Sequence, residues 1–135
     1  MSDKSLIITS IAADTLEVLH TFAKECTKRN FNFILIGDTK SPDKFEINGC
    51  DYWSVERQLT LNSKFAKLCP TKHYARKNIG YIIALQNGTQ EIVETDDDNL
   101  PRAEFWNEKS SNVSAYDIKE QGWVNVYNYF SDKFI

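Results

Sequence analysis

Two short apolar runs, Leu6–Ile11 and Phe31–Ile36, flank a segment in which Leu16, Leu19, Phe22, Ala23 and Cys26 recur at helical spacing. This order constrains the chain more than any other feature. A short run of apolar, largely β-branched residues reads as a strand covered on both faces. A period of three to four residues reads as a helix with one buried stripe. Strand, helix and strand with short connections make a βαβ unit, so a parallel sheet and an α/β class are expected. Asp14 stands where it can cap the helix, and the basic Arg29–Asn30 end suits its C-terminal dipole.

The rest of the chain extends that pattern. Thr39–Gly49, with Pro42 and an Asn48-Gly49 turn signal, is a loop. Tyr52–Val55 reads as a shorter third strand, and Glu56–Leu68 as irregular helical pieces laying Leu59, Phe65 and Leu68 on the sheet. Pro70-Thr71 opens another helix with Thr71 as its cap. Ala75, Ile79, Ile82 and Ile83 form that helix's buried stripe, and Asn87-Gly88 stops it. Glu91–Thr95 is the fourth strand. Beyond Asp98 the pattern weakens: 99–114 is polar, and Trp123–Phe130 reads as a strand or a short amphipathic turn. Trp106, Trp123 and Tyr127 are expected in the core. The whole reads as one domain over 1–135, a mostly parallel sheet flanked by helices, with the look of half of a larger fold.

Composition limits the function classes. A chain of 135 residues is one domain by size. A net charge of -3 gives no general footing for nucleic acid or an anionic membrane surface. No apolar run approaches the roughly 20 residues that span a bilayer, and the start of the chain lacks the pattern of a secretory signal, so no membrane anchor is expected. Cys26, Cys50 and Cys69 are scattered, without ligand spacing for zinc, and read as reduced thiols of a cytoplasmic protein.

The chemistry concentrates in His73–Asn99. Asp96, Asp97 and Asp98 follow a buried strand, while Arg76 and Lys77 open the preceding helix. In extended chain Asp96 and Asp98 share a side and Asp97 points opposite. Adjacent carboxylates repel unless a cation intervenes, and oxygen ligands suit Mg²⁺ or Mn²⁺. A helix start favours anions, and an arginine fork there can hold phosphate. Asn78 can orient a ligand at the same edge, and Gly80 permits close approach of ligand or strand. Ligands of open α/β sheets sit beyond the carboxyl ends of the strands, which adds Thr9, Ser10 and Asp38, the last as a partner for a base or ribose. Each has a bland competing reading. The triplet can be a solvated turn, Arg76 a partner of surface carboxylates, Lys77 a solvent-facing side chain, Asp38 a turn-former, Thr9 and Ser10 ordinary strand-end residues, and His73 a structural helix-start residue rather than a base.

The stretch ARKNIGYIIALQNGTQEIVETDDDN resembles the pattern of GT-A glycosyltransferases, in which an Ala-Arg-Asn-x-Gly helix precedes a strand ending in Asp-x-Asp. With Tyr74 included it is similar to the STELLO family of glycosyltransferase-like proteins, as is the trailing GWVNVYNYF. The reversibly glycosylated polypeptides, UDP-arabinopyranose mutases, share a related arrangement. The resemblance implies a Rossmann-like GT-A half that binds a nucleoside-diphosphate sugar, UDP-linked, through a divalent metal. It implies that Asp96 and Asp98 are the metal-binding and ribose-binding pair, and that Arg76 lies by the donor diphosphate. In the mutase relatives the arginine at the position of Arg76 is the one glycosylated. A nucleotide-sugar mutase, a self-glycosylating protein and a non-catalytic interaction module that keeps the fold are the alternatives. The acceptor, the general base and any homo-oligomer are left open.

Overall fold

The structure is a computed structural model that describes residues 2–115, 117, 119 and 121–132. The outer limits of the expected domain, Met1 and Ile135, lie outside the described residues. Its centre is a four-stranded sheet of β1 (Lys4–Thr9), β2 (Asn32–Ile36), β3 (Cys50–Trp53) and β4 (Glu91–Glu94). The strand order is β3-β2-β1-β4, and every pair is parallel. Register sets Ile7 beside Ile34, Leu6 beside Val93 and Leu35 beside Tyr52. This is the α/β, Rossmann-like architecture that the strand–helix–strand start predicts.

Alternation along the strands divides the core between two faces. Leu6, Ile8, Phe33 and Leu35 meet Leu19, Phe22, Ala23 and Cys26 of α1 (Glu17–Lys28). Ile7, Ile34 and Ile36 point the other way, onto Ile79, Ile83 and Ala84 of α2 (Lys77–Gln86). Each fully buried Leu, Ile or Phe here contributes about 1.5–3 kcal/mol, so both faces are strongly specified. Gly80 brings α2 close to the sheet: a Cβ there would stand 2.5 Å from Ile7 Cγ2 and 3.2 Å from Ile36 Cγ1. Of its two expected uses, the strand takes it. Cys26 and Cys50 are free thiols whose pKa values burial pushes up to about 12, so they stay protonated.

Several local expectations give way to packing. Strand β1 ends before Ile11, which is exposed, because the Ser10 N–H makes the last ladder bond, to Ile36 O at 3.0 Å. Asp14 does not cap α1; the cap position is Leu16, and the Asp14 carboxylate accepts from the Glu46 N–H. Thr71 does not cap α2 either. A 3₁₀ turn, Tyr74–Arg76, leads into that helix, and His73 Nδ1 accepts from the Ala75 N–H at 3.0 Å. Between β3 and this turn lie two short helices, Val55–Leu59 and Lys64–Leu68. Leu59, Phe65 and Leu68 are exposed; the inward positions belong to Gln58, Ala66 and Cys69. These helices are so short that one turn, rather than a long apolar stripe, decides what faces in.

The later segment is split the same way. A 3₁₀ turn, Ala103–Trp106, sets Phe105 and Trp106 edge-on against Phe22, at 5.8 and 6.1 Å between ring centroids. Trp106 therefore joins the border of the core as expected. Trp123 and Tyr127 do not: both are exposed, around a further 3₁₀ turn at Val126–Tyr129. No helix among the described residues is long and apolar enough to cross a membrane.

Candidate functional site

The strand order reverses direction between β1 and β4, because the chain runs outward through β2 and β3 and then returns to the other side of β1. Connections diverge at such a point, and a crevice opens beyond the carboxyl ends of the strands. A cavity of about 400 Å³ lies there. Thr9 and Ser10 enter it from the end of β1, Gly37 and Asp38 from the end of β2, Arg76 from the start of the α2 region, and Asp97 from the loop after β4. Five of the residues expected at the site are thus brought together. Lys40, Lys72, His73 and Tyr74 also line it, which the sequence reading did not assign as ligand contacts. Lys77, Asn78, Asp96 and Asp98 do not.

Arg76 is held from behind. The residue is 2% exposed; Nη1 donates to Cys69 O at 3.1 Å and Nη2 to Gln58 Oε1. Gln58, itself fully buried, donates through Nε2 to Gly37 O at 2.9 Å and Trp53 O at 2.7 Å. This chain of bonds ties the arginine to the ends of β2 and β3. Arg76 is therefore no partner of surface carboxylates. Its Nε is buried without a hydrogen-bond partner among the described residues. A buried donor left unpaired is costly.

Asp38 does the work of a turn-former and more. Oδ1 accepts from the Thr39 N–H at 2.6 Å, and Oδ2 from the Lys72 N–H at 2.7 Å. It thereby pins the loop before the 3₁₀ turn, where Lys72 adopts a left-handed φ of 55°. Ser10 Oγ accepts from the Ala12 N–H at 3.0 Å and gives its proton to Asp97 Oδ2. Thr9 supplies the adjacent wall. Asn78 is turned back on its helix, donating to Ala75 O at 2.9 Å.

Lys77 overturns the solvent-facing reading. Its side chain is 2% exposed, and Nζ lies 2.7 Å from Asp96 Oδ1, 3.0 Å from Glu94 Oε2, 2.7 Å from Tyr74 OH and 3.1 Å from Thr95 O. Burial lowers its pKa, but the hydrogen bonds to Asp96, Tyr74 and Glu94 outweigh burial, and the net shift is upward. Tyr81 OH donates to the same Glu94 at 2.9 Å, and burial followed by that carboxylate raises the phenol to about 12.

The triplet does not continue the strand. Strand β4 ends at Glu94, and the residues after Thr95 turn, with the Asn99 N–H reaching Asp96 O at 3.4 Å. The alternation expected for Asp96 and Asp98 therefore does not apply. Asp96 turns to Lys77, Asp97 to the cavity and Asp98 to solvent. Oxygen donors of this kind suit Mg²⁺ or Mn²⁺. Among the described residues, no group of three or more His, Cys, Asp or Glu gathers round one point. An ion here would complete its shell with ligand oxygens and water, which is usual for Mg²⁺.

No family model matches the chain. Over 91 residues, 67% of its length, it is 26% identical to two proteins of Arabidopsis thaliana described as probable glycosyltransferases, STELLO2 and STELLO1. The chain spans 12% and 11% of the lengths of those relatives. This likeness, falling on a Rossmann-like fold with a cavity at its switch point, supports a glycosyltransferase-like family for the chain.

Proposed function

We propose that the chain is a GT-A-like domain that binds a nucleoside-diphosphate sugar, UDP-linked, in the cavity beyond β1 and β2, with a divalent cation at the acidic loop. One observation carries this reading: Lys40, Lys72, Arg76 and Asp97 line one cavity beyond the carboxyl ends of the strands. Cationic and carboxylate side chains around one cavity match a diphosphate bound together with a metal ion. Arg76, Lys40 and Lys72 would take the phosphate charge, and the acidic loop would hold Mn²⁺ or Mg²⁺. When bound, such an ion neutralises charge that develops on a leaving diphosphate. Thr9 and Asp38 border the space left for the nucleoside.

Self-glycosylation at Arg76 gains no support from the geometry, since both Nη atoms are engaged and the side chain is buried. Calorimetry with UDP, in Mn²⁺ and then in chelator, tests the proposal. Metal-dependent binding is expected, weakened about tenfold or more in a Lys40→Glu/Lys72→Glu variant, since two favourable contacts become repulsive. Absence of binding, or equal binding in chelator, overturns it.

A further inference from the structure

The net charge of -3 hides an uneven distribution. No Asp or Glu occurs between Glu56 and Glu91, while that stretch carries Arg57, Lys64, Lys67, Lys72, Arg76 and Lys77. Arg76 and Lys77 are buried, and Arg57 is paired with Asp51. Lys64, Lys67 and Lys72 are exposed, and none of them is in an ion pair among the described residues. We infer that the short helix Lys64–Leu68 is a docking surface for an anionic lipid bilayer. The inference goes beyond the donor-site reading and does not depend on it.

Helical spacing and burial fix what this turn presents. Ala66 is fully buried in the core on the α2 side of the sheet, with Cys69 in the same cluster. At about 100° per residue, Lys64 and Leu68 then stand on the outer side of the turn, with Phe65 and Lys67 on its flanks. Phe65 is 42% and Leu68 71% exposed, and their spacing of three makes them neighbours. The turn is held in place at both ends. Ser63 Oγ accepts from the Ala66 N–H at 3.2 Å, and the Cys69 N–H reaches Phe65 O at 2.8 Å. Cys69 O in turn accepts from Arg76 Nη1 at 3.1 Å. A turn fixed in this way presents its outer side chains with little ordering left to lose on docking.

Charge complementarity selects the occupant. Exposed lysines without a counter-ion favour an anionic surface, where each is worth about fivefold in affinity. Phe65 and Leu68 protrude beside them. Protruding apolar side chains enter the headgroup boundary of a bilayer, while lysine ammonium groups stay at its phosphates. An acidic protein would satisfy the lysines but would need a shaped apolar pocket for Leu68, whereas a fluid bilayer needs none. One such turn gives reversible binding rather than an anchor. Because Cys69 ties the turn to Arg76, which lines the cavity, docking holds the cavity close to the lipid surface.

The test is flotation of the chain with two kinds of vesicle: phosphatidylcholine alone, and phosphatidylcholine with about a third phosphatidylserine. Binding to the anionic vesicles alone is expected, weakening as salt rises. Lys64→Glu/Lys67→Glu and Phe65→Ser/Leu68→Ser are each expected to weaken it about tenfold or more. All four side chains are exposed, so thermal melting should move little and show that both variants fold. Lys24→Glu/Lys28→Glu makes the same change of net charge on α1, across the sheet, and should bind within about threefold of the unsubstituted chain. No preference for anionic vesicles, unchanged binding in either patch variant, or an equal loss in the α1 variant overturns the inference. Binding to soluble polyglutamate but not to vesicles also overturns it, and assigns the turn to an acidic protein instead.

Discussion

Replacing Gln58 with leucine removes the one side chain that joins the site arginine to the sheet. The amide is fully buried and makes three hydrogen bonds: to Gly37 O, to Trp53 O and from Arg76 Nη2. Trp53 O keeps its bond from the Gly37 N–H, so its loss is of ordinary size. Taking about 1 kcal/mol for each carbonyl and about 2 for the charged donor gives about 4 kcal/mol. Leucine's apolar burial returns about 1, for a net destabilisation of about 3 kcal/mol. With a urea m-value of about 2 kcal/mol/M, the midpoint of denaturation falls by about 1.5 M. The assay is equilibrium urea denaturation followed by circular dichroism, with the m-value as a control on two-state behaviour. A midpoint within about 0.3 M of the unsubstituted chain refutes the reasoning, because Arg76 would then be held without Gln58.

Two further outcomes follow from packing and ionisation. Gly80→Val forces a branched side chain into the 2.5 Å gap to Ile7 Cγ2, so about 2–3 kcal/mol of destabilisation is expected in the same urea assay, and a neutral result contradicts the close approach of α2. Burial and the Glu94 carboxylate push the Tyr81 phenol up to about 12 from an ordinary value of 10, so the stability it contributes is fully present below pH 10 and lost as pH rises through about 12; phenolate absorbance should lose a late-titrating group in Tyr81→Phe, while Tyr52, also raised by burial, stays.

What the sequence revealed follows the range of each rule. Apolar runs at Leu6–Ile11 and Phe31–Ile36 gave the parallel sheet, because burial on both faces leaves a mark at every position of a strand. Thr9, Ser10, Asp38, Arg76 and Asp97 could be placed together at one edge because strand ends in such a sheet converge there. Lys40 and Lys72 stand in loops, and Tyr74 opens the 3₁₀ turn after the second of them; the path there depends on Asp38 reaching the Lys72 N–H, a contact spanning 34 positions that no local pattern encodes. Gln58 carried no signal at all. Glutamine has no apolar periodicity, and its burial depends on three partners drawn from three separate segments.

The fate of the aspartate triplet shows where pattern reasoning fails and why that matters for the site. Side-chain alternation holds only while the backbone stays extended and paired, and β4 ends at Glu94. Once the chain turns, two of the three carboxylates go to partners on neighbouring elements, and Asp98 turns to solvent. For Asp96 that partner is Lys77, which enters from a helix on the face of the sheet occupied by Ile7 and Ile79. For Asp97 it is Ser10, at the end of the neighbouring strand. Both partners exist because β4 returns beside β1, so the same reversal that opens the cavity also sorts the charges around it. A permuted order with β4 beside β3 would leave Asp97 without Ser10. The topology, more than the acidic run itself, therefore makes this edge of the sheet a candidate site.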